Sequence, residues 1–213
     1  MDAPFQLSDA RLQARLLAHV DVEEKIPRAL DDLGAVAGRR VLLLDDAADG
    51  LRARQLEVLG ARLTVSPLGA AALAGLEPGS FEAVVCAWAG FSQDGPGLAA
   101  DLLSAERLLA PGGRLLAIQD YGRDDVAGLW ADAAREARLE AWSRRDGPLL
   151  GDGFRVRVLH CWWTFADLAE AAAILGAAFP LTGAGVVASL RRPRLSYKLA
   201  VYHRSTPARQ AVA

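Results

Sequence analysis

The chain has 213 residues, 52% of them hydrophobic, with a formal net charge of −2 and a pI near 5.9. That length supports one full core in a single domain over residues 1–204, followed by a loose tail over 205–213. The mild acidity excludes a global basic field, so neither nucleic acid nor an anionic membrane is an expected partner, and a small molecule or a protein is.

Within that domain, residues 1–38 carry two predicted helices. Leu12, Leu16 and Leu17 share one face over residues 9–19, and Val22, Ile26, Leu30 and Leu33 share another over residues 22–33. No basic start followed by an apolar run precedes them, so a cytoplasmic protein is expected. Val41 to Asp45 then reads as a buried parallel strand, Asp45-Asp46-Ala47-Ala48-Asp49-Gly50 as a turn, and Leu51 to Leu59 as a helix that stops at Gly60. A second strand covers Arg62 to Ser66, and a strong apolar strand runs from Phe81 to Trp88. Between Ser66 and Phe81 lie only 14 residues, too few for a helix, a strand and their connections.

A polar turn over residues 92–97 leads to a helix from Leu98 to Leu109, which Pro111-Gly112-Gly113 ends before the strand Arg114 to Gln119. Asp124 or Asp125 is expected to cap a long helix reaching about Trp142, with Arg123 as ion-pair partner. Phe154 to Trp163 reads as a strand and Ala166 to Ala177 as a helix. Residues 171–190 carry no charge, but Gly176, Pro180, Gly183 and Gly185 break them, which argues for a helix end, a loop and a strand over a membrane span. That strand, Gly185 to Leu190, and Leu195 to His203 are expected to form a closing antiparallel hairpin around Arg191-Arg192-Pro193-Arg194. The fold class is therefore α/β, a mostly parallel sheet with one antiparallel edge.

The order of these segments resembles the class I S-adenosylmethionine-dependent methyltransferase family. The resemblance covers residues 41–121 and rests on Val41-Leu42-Leu43-Leu44 with its acidic turn, Gly60 to Val65, Ser80 to Cys86, and above all Leu109-Ala110-Pro111-Gly112-Gly113-Arg114-Leu115. It implies a Rossmann-like sheet with helices on both faces and a cofactor, S-adenosylmethionine, at the turn after the first strand. By position the cofactor would meet Asp45, Asp46, Ala47, Asp49, Gly50 and Trp88.

Three departures bear on that implication. Asp45, Ala47 and Asp49 stand where the family has glycines that let the backbone approach the cofactor. The second strand ends Thr64-Val65-Ser66-Pro67, without the acid that in the family holds the ribose. The third strand is shortened or absent. The resulting expectation is a methyltransferase-like protein that keeps the fold without ordinary cofactor use and works as a binding or scaffold subunit, with self-association through an uncovered second-strand edge. Two alternatives stand beside it: an active small-molecule methyltransferase with an atypical site, and a domain holding another ligand between Trp88, Tyr121 and a tryptophan of 162 or 163.

Strand ends in an open α/β sheet form the ligand crevice. Asp120, Tyr121 and His160 are the candidate catalytic groups: a carboxylate, a phenol and an imidazole able to move protons near neutral pH. Gln119, Arg123, Trp162 and Trp163 are the candidate substrate pocket, with Trp162 and Trp163 on opposite strand faces so that at most one serves. Cys86 and Cys161 sit in apolar strands without metal-ligand spacing, so no metal is expected.

Overall fold

A computed structural model describes residues 3, 5–88, 90–91 and 96–207. Asp9 caps α1 (Ala10–Leu17) through the amides of Arg11 and Leu12, and α2 (Lys25–Gly34) follows. The chain then alternates: β1 (Arg40–Leu44), α3 (Leu51–Val58), β2 (Arg62–Ser66), the single turn α4 (Ala70–Leu73), β3 (Phe81–Ala87), α5 (Pro96–Leu108) and β4 (Leu109–Asp120). A 3-10 turn (Val126–Leu129), α6 (Ala133–Ser143), α7 (Pro148–Gly151), β5 (Arg155–Thr164), α8 (Leu168–Ala178), α9 (Gly183–Ser189) and β6 (Arg194–Ser205) complete it. Of the polar turn expected over 92–97, residues 92–95 lie outside the described residues.

The six strands form one sheet in the order β2-β1-β3-β4-β6-β5. The first four are parallel, and β6 is antiparallel to both β4 and β5. Because β1 and β3 are covered on both faces, Val41 to Leu44 and Ala83 to Ala87 are all buried. One apolar cluster joins the sheet to α1, α2, α3 and α8, and the other joins it to α4, α5 and α7. Between Ser66 and Phe81 the chain forms α4 and no strand, so β2 is a sheet edge. Among the described residues, no helix is long and apolar enough to cross a membrane.

Three expectations are corrected. The antiparallel pair exists, but β6 pairs with β5, and residues 183–189 are helical rather than a strand. The place beside β6 is filled along ten positions by β5, while Gly183 lets α9 press onto α8: a Cβ there would stand 2.2 Å from the Leu175 carbonyl oxygen. The long helix from residue 124 is broken, because Ala131 adopts a left-handed φ of 47° and Asp132 caps α6 anew through the amides of Ala134 and Arg135. Asp124 caps only the 3-10 turn, accepting the Ala127 amide at 2.8 Å, while its other oxygen and Asp125 accept from the backbone of β6 at Lys198 (2.6 Å) and Ser196 (2.8 Å). The tail also starts later than expected, since β6 includes Ser205 and Thr206 donates its amide to Gly113. Residues 208–213 lie outside the described residues.

Candidate functional site

The turn between β1 and α3 is closed by its own groups. Asp45 is buried, its amide donates to the Ser66 carbonyl and its carboxylate accepts the Ala47 amide at 3.1 Å, an Asx turn that needs no glycine. Gly50 donates to the Ala47 carbonyl and leads into α3. Asp46, Ala47 and Asp49 face solvent, and the Asp49 carbonyl accepts from Arg54. At the end of β2, the Ser66 hydroxyl donates to the Pro67 carbonyl, and no carboxylate stands beside it in the sequence.

The second residue of α3, Arg52, is fully buried. Its guanidinium bonds Gln55 and lies 5.6 Å from the centre of the Trp88 ring. Trp88 follows β3 directly with a left-handed φ of 52°, and its amide donates to the Ile118 carbonyl. The Trp88 indole donates in turn to Asp120 Oδ1 at 3.0 Å.

Asp120, the last residue of β4, is the centre of this network. Its Oδ1 also accepts from the Tyr197 hydroxyl at 2.7 Å, and its Oδ2 is paired with Arg135 from α6. Arg135 stacks on Trp130, 4.6 Å from the ring centre. Burial pushes the Asp120 carboxyl above the usual carboxylate range, against the pull of Arg135, Tyr197 and Trp88. Burial also raises Tyr197 well above an ordinary phenol and lowers Arg135. Both oxygens of Asp120 are thus committed to internal donors, an arrangement that fixes strand ends rather than offering a base to a ligand.

Tyr121 and Arg123 line a cavity of about 670 Å³ between the loop after β4 and the first turns of α6, together with Asp124, Glu136 and Glu140. Arg123 is exposed and lies 3.9 Å from Glu140, not against Asp124 or Asp125 as an ion-pair partner. The Gln119 amide donates to the Gly90 carbonyl at 2.9 Å, which ties β4 to the segment after β3. His160 is exposed on the edge strand β5, opposite Lys198, whose carbonyl accepts from the Tyr121 amide. Two strand spacings, roughly 10 Å, therefore separate His160 from Tyr121. Trp162 is half-buried beneath Arg194, 4.1 Å from its ring centre. Trp163 is core, packed on Phe5 and Tyr197, and among the described residues its indole N–H has no partner.

The structure thus joins Trp88 to Asp120 and places Tyr121 with Arg123, while His160, Trp162 and Trp163 stand apart. Arg52, Arg135 and Tyr197 were not anticipated. Tyr197 carried a signal, since it alternates with Leu195 and Leu199 on the buried face of β6; the two arginines carried none. Burial keeps both cysteine thiols protonated, pushing Cys86 up to about 12. Among the described residues, no group of three or more His, Cys, Asp or Glu is placed to hold a metal ion.

No protein-family model and no curated protein matches the chain. Solved structures do. A candidate type II methyltransferase from Anaeromyxobacter dehalogenans is 16% identical with a TM-score of 0.52, over 85% of this chain and 97% of that one. A candidate methyltransferase from Bacillus halodurans is 13% identical with a TM-score of 0.47, over 86% of this chain and 100% of that one. A protein from Thermotoga maritima described as a SAM-dependent methyltransferase is 13% identical with a TM-score of 0.45, over 92% and 95%. The first of these and the strand order, with antiparallel β6 set between β4 and β5, lead to one statement: the chain has the fold of the class I S-adenosylmethionine-dependent methyltransferases.

Proposed function

We propose that this chain uses the methyltransferase fold as a binding or scaffold subunit and does not take up S-adenosylmethionine in the family's usual way. The observation that carries this reading is the network at the carboxyl ends of the strands, where Arg52 is buried beside Trp88 and both oxygens of Asp120 are held by Trp88, Tyr197 and Arg135. Side chains that would have to meet a cofactor or substrate are engaged with each other. The remaining positions fit the cofactor poorly: one serine hydroxyl at the end of β2 cannot replace a carboxylate that accepts from two ribose hydroxyls, and between Ser66 and Phe81 only α4 forms, with no strand there to flank an adenine. Calorimetric titration of unfolded and refolded protein with S-adenosylmethionine and its demethylated product tests this. No heat up to millimolar ligand is expected, and micromolar binding would overturn the reading.

The alternative, an active small-molecule methyltransferase, draws on the cavity beside Tyr121 and Arg123, which could seat an acceptor near the end of β4. A cytoplasmic setting belongs to our reading, in keeping with two unpaired, buried cysteines.

The partner we propose is protein, including a second copy of the chain at β2. Arg62 and Ser66 bond β1 through Arg39 and Asp45, so by alternation the backbone groups of Leu63 and Val65 point away from the sheet. Val65→Pro removes an outward amide without breaking the β1 ladder. Light scattering after size-exclusion chromatography is expected to show a dimer for the wild type and a monomer for Val65→Pro; a monomeric wild type at high concentration would exclude self-pairing.

A further inference from the structure

At the opposite end of the sheet from Asp120, the pairing of β4 with β6 begins at Arg114, β5 begins with Arg155, and β6 ends with His203, Arg204 and Ser205. Register brings these together: Arg155 pairs with His203, His203 with Leu116, and Arg114 with Ser205. Direct antiparallel partners have Cα atoms about 4.5–5.5 Å apart. Side-chain alternation puts Arg114, Arg155, Arg157 and His203 on one face, because each lies an even number of positions from Leu116 or its partner. The notch between them holds about 330 Å³ and is lined by Arg114, Gly153, Arg155, His203, Arg204 and Ser205, with no carboxylate among the described residues.

The nearby acids are engaged elsewhere. Asp32 of α2 pairs with Arg157 at 3.0 Å, and Glu106 of α5 and Asp152 pair with Arg204. Arg114 donates through Nη1 to the Leu33 carbonyl, which leaves its other donors available. Among the described residues, the side chains of Arg155, His203 and Ser205 have no hydrogen-bond or ion-pair partner. Arg114, Arg155 and His203 are therefore held together in a concave site with free donors, while the nearby carboxylates are paired with Arg157 and Arg204, an arrangement that an anion relieves.

We propose that this notch is a binding site for a small oxyanion, with a phosphate group as the occupant that best suits its volume and donors. Guanidinium groups from two strands, an imidazole and a hydroxyl offer the forked, charge-assisted contacts that phosphate oxygens accept. The site lies on the far side of the sheet from the crevice and stands independently of whether a cofactor binds there.

His203 provides the readout. Burial first, and then Arg114, Arg155 and Arg157, hold its imidazole below the ordinary histidine value. The unfolded chain therefore takes up this proton before the folded one, so the stability tied to neutral His203 is complete above about pH 6.5 and is lost as pH falls through the lower folded-state value. A bound anion favours the imidazolium and reverses the shift.

Nuclear magnetic resonance titration of the His203 ring in the full chain tests this with inorganic phosphate, sulfate and glycerol phosphate, sulfate being the control whose charge is constant across the range. Each bound anion is expected to raise the His203 titration midpoint, and sulfate is expected to bind more tightly at pH 5.5 than at pH 8, roughly following the charge of the ring. Arg155→Ala, at the exposed start of an edge strand, is expected to weaken binding about tenfold or more, and His203→Gln to keep binding while removing its pH dependence. Tighter binding of glycerol phosphate than of the inorganic ions would support a phosphorylated small molecule as occupant, and equal binding would support the free anion. An unmoved His203 midpoint with all three anions, or wild-type affinity in Arg155→Ala, would overturn the proposal.

Discussion

Asp120→Ala is expected to lower the unfolding free energy by about 3–5 kcal/mol, the range for breaking a buried, hydrogen-bonded ion pair from one side. The substitution leaves three donors without their acceptor: the Trp88 indole N–H, the Tyr197 hydroxyl and Arg135, two of them on buried residues. Each stranded buried donor costs about 1–3 kcal/mol, and the guanidinium loses its paired carboxylate while keeping its stacking on Trp130 and the field of Asp124. Urea unfolding followed by tryptophan fluorescence measures the change as a shift in midpoint at constant slope. A loss below about 1 kcal/mol would mean that Asp120 is not the tie between strand ends described above.

The second large effect concerns Arg52. An ordinary ligand crevice tolerates loss of a lining side chain with little change in stability, whereas a buried core side chain does not. Arg52→Ala removes a fully buried long side chain beside Trp88 and leaves both a void and a changed field around Asp21, whose carboxyl is raised by burial and lowered in part by Arg52. Roughly 2–4 kcal/mol is expected to be lost. Arg52→Met, which keeps most of the volume, is expected to lose less than Arg52→Ala. The same unfolding experiment separates them. Equal, small losses in both variants would identify Arg52 as a lining residue with no core role.

The parallel half of the sheet was legible because strands covered on both faces must be continuously apolar, as Val41 to Leu44 and Ala83 to Ala87 are. The 14-residue gap after Ser66 was legible for a simpler reason: chain length bounds what can fold within it, and only α4 forms there. The closing elements misled because Gly185 to Leu190 is short, apolar and β-branched at its centre, and such a run reads equally as strand or helix. What decided it was non-local. The ten-residue register of β5 against β6 took the available edge, and Gly183 allowed α9 to approach α8.

The candidate site divided along the same line. Asp120 and Trp88 were found because strand ends can be located from periodicity. Their meaning was not, since it depends on Arg135, which projects from a mostly polar helix whose one buried residue is Trp142. His160 looked useful beside Trp162 and Trp163, yet the strand order puts β5 at the edge of the sheet, with β6 between it and β4. No local pattern reports which strand is inserted between two others.

The most direct test is the ¹H–¹⁵N spectrum of the tryptophan indoles during addition of S-adenosylmethionine. With the Trp88 N–H held by Asp120 and the ring stacked by Arg52, the resonance is expected to stay in place and remain protected from exchange up to millimolar ligand. A saturable shift of that resonance at micromolar ligand, lost in a Trp88→Phe control, would contradict the account and place the cofactor in the crevice after all.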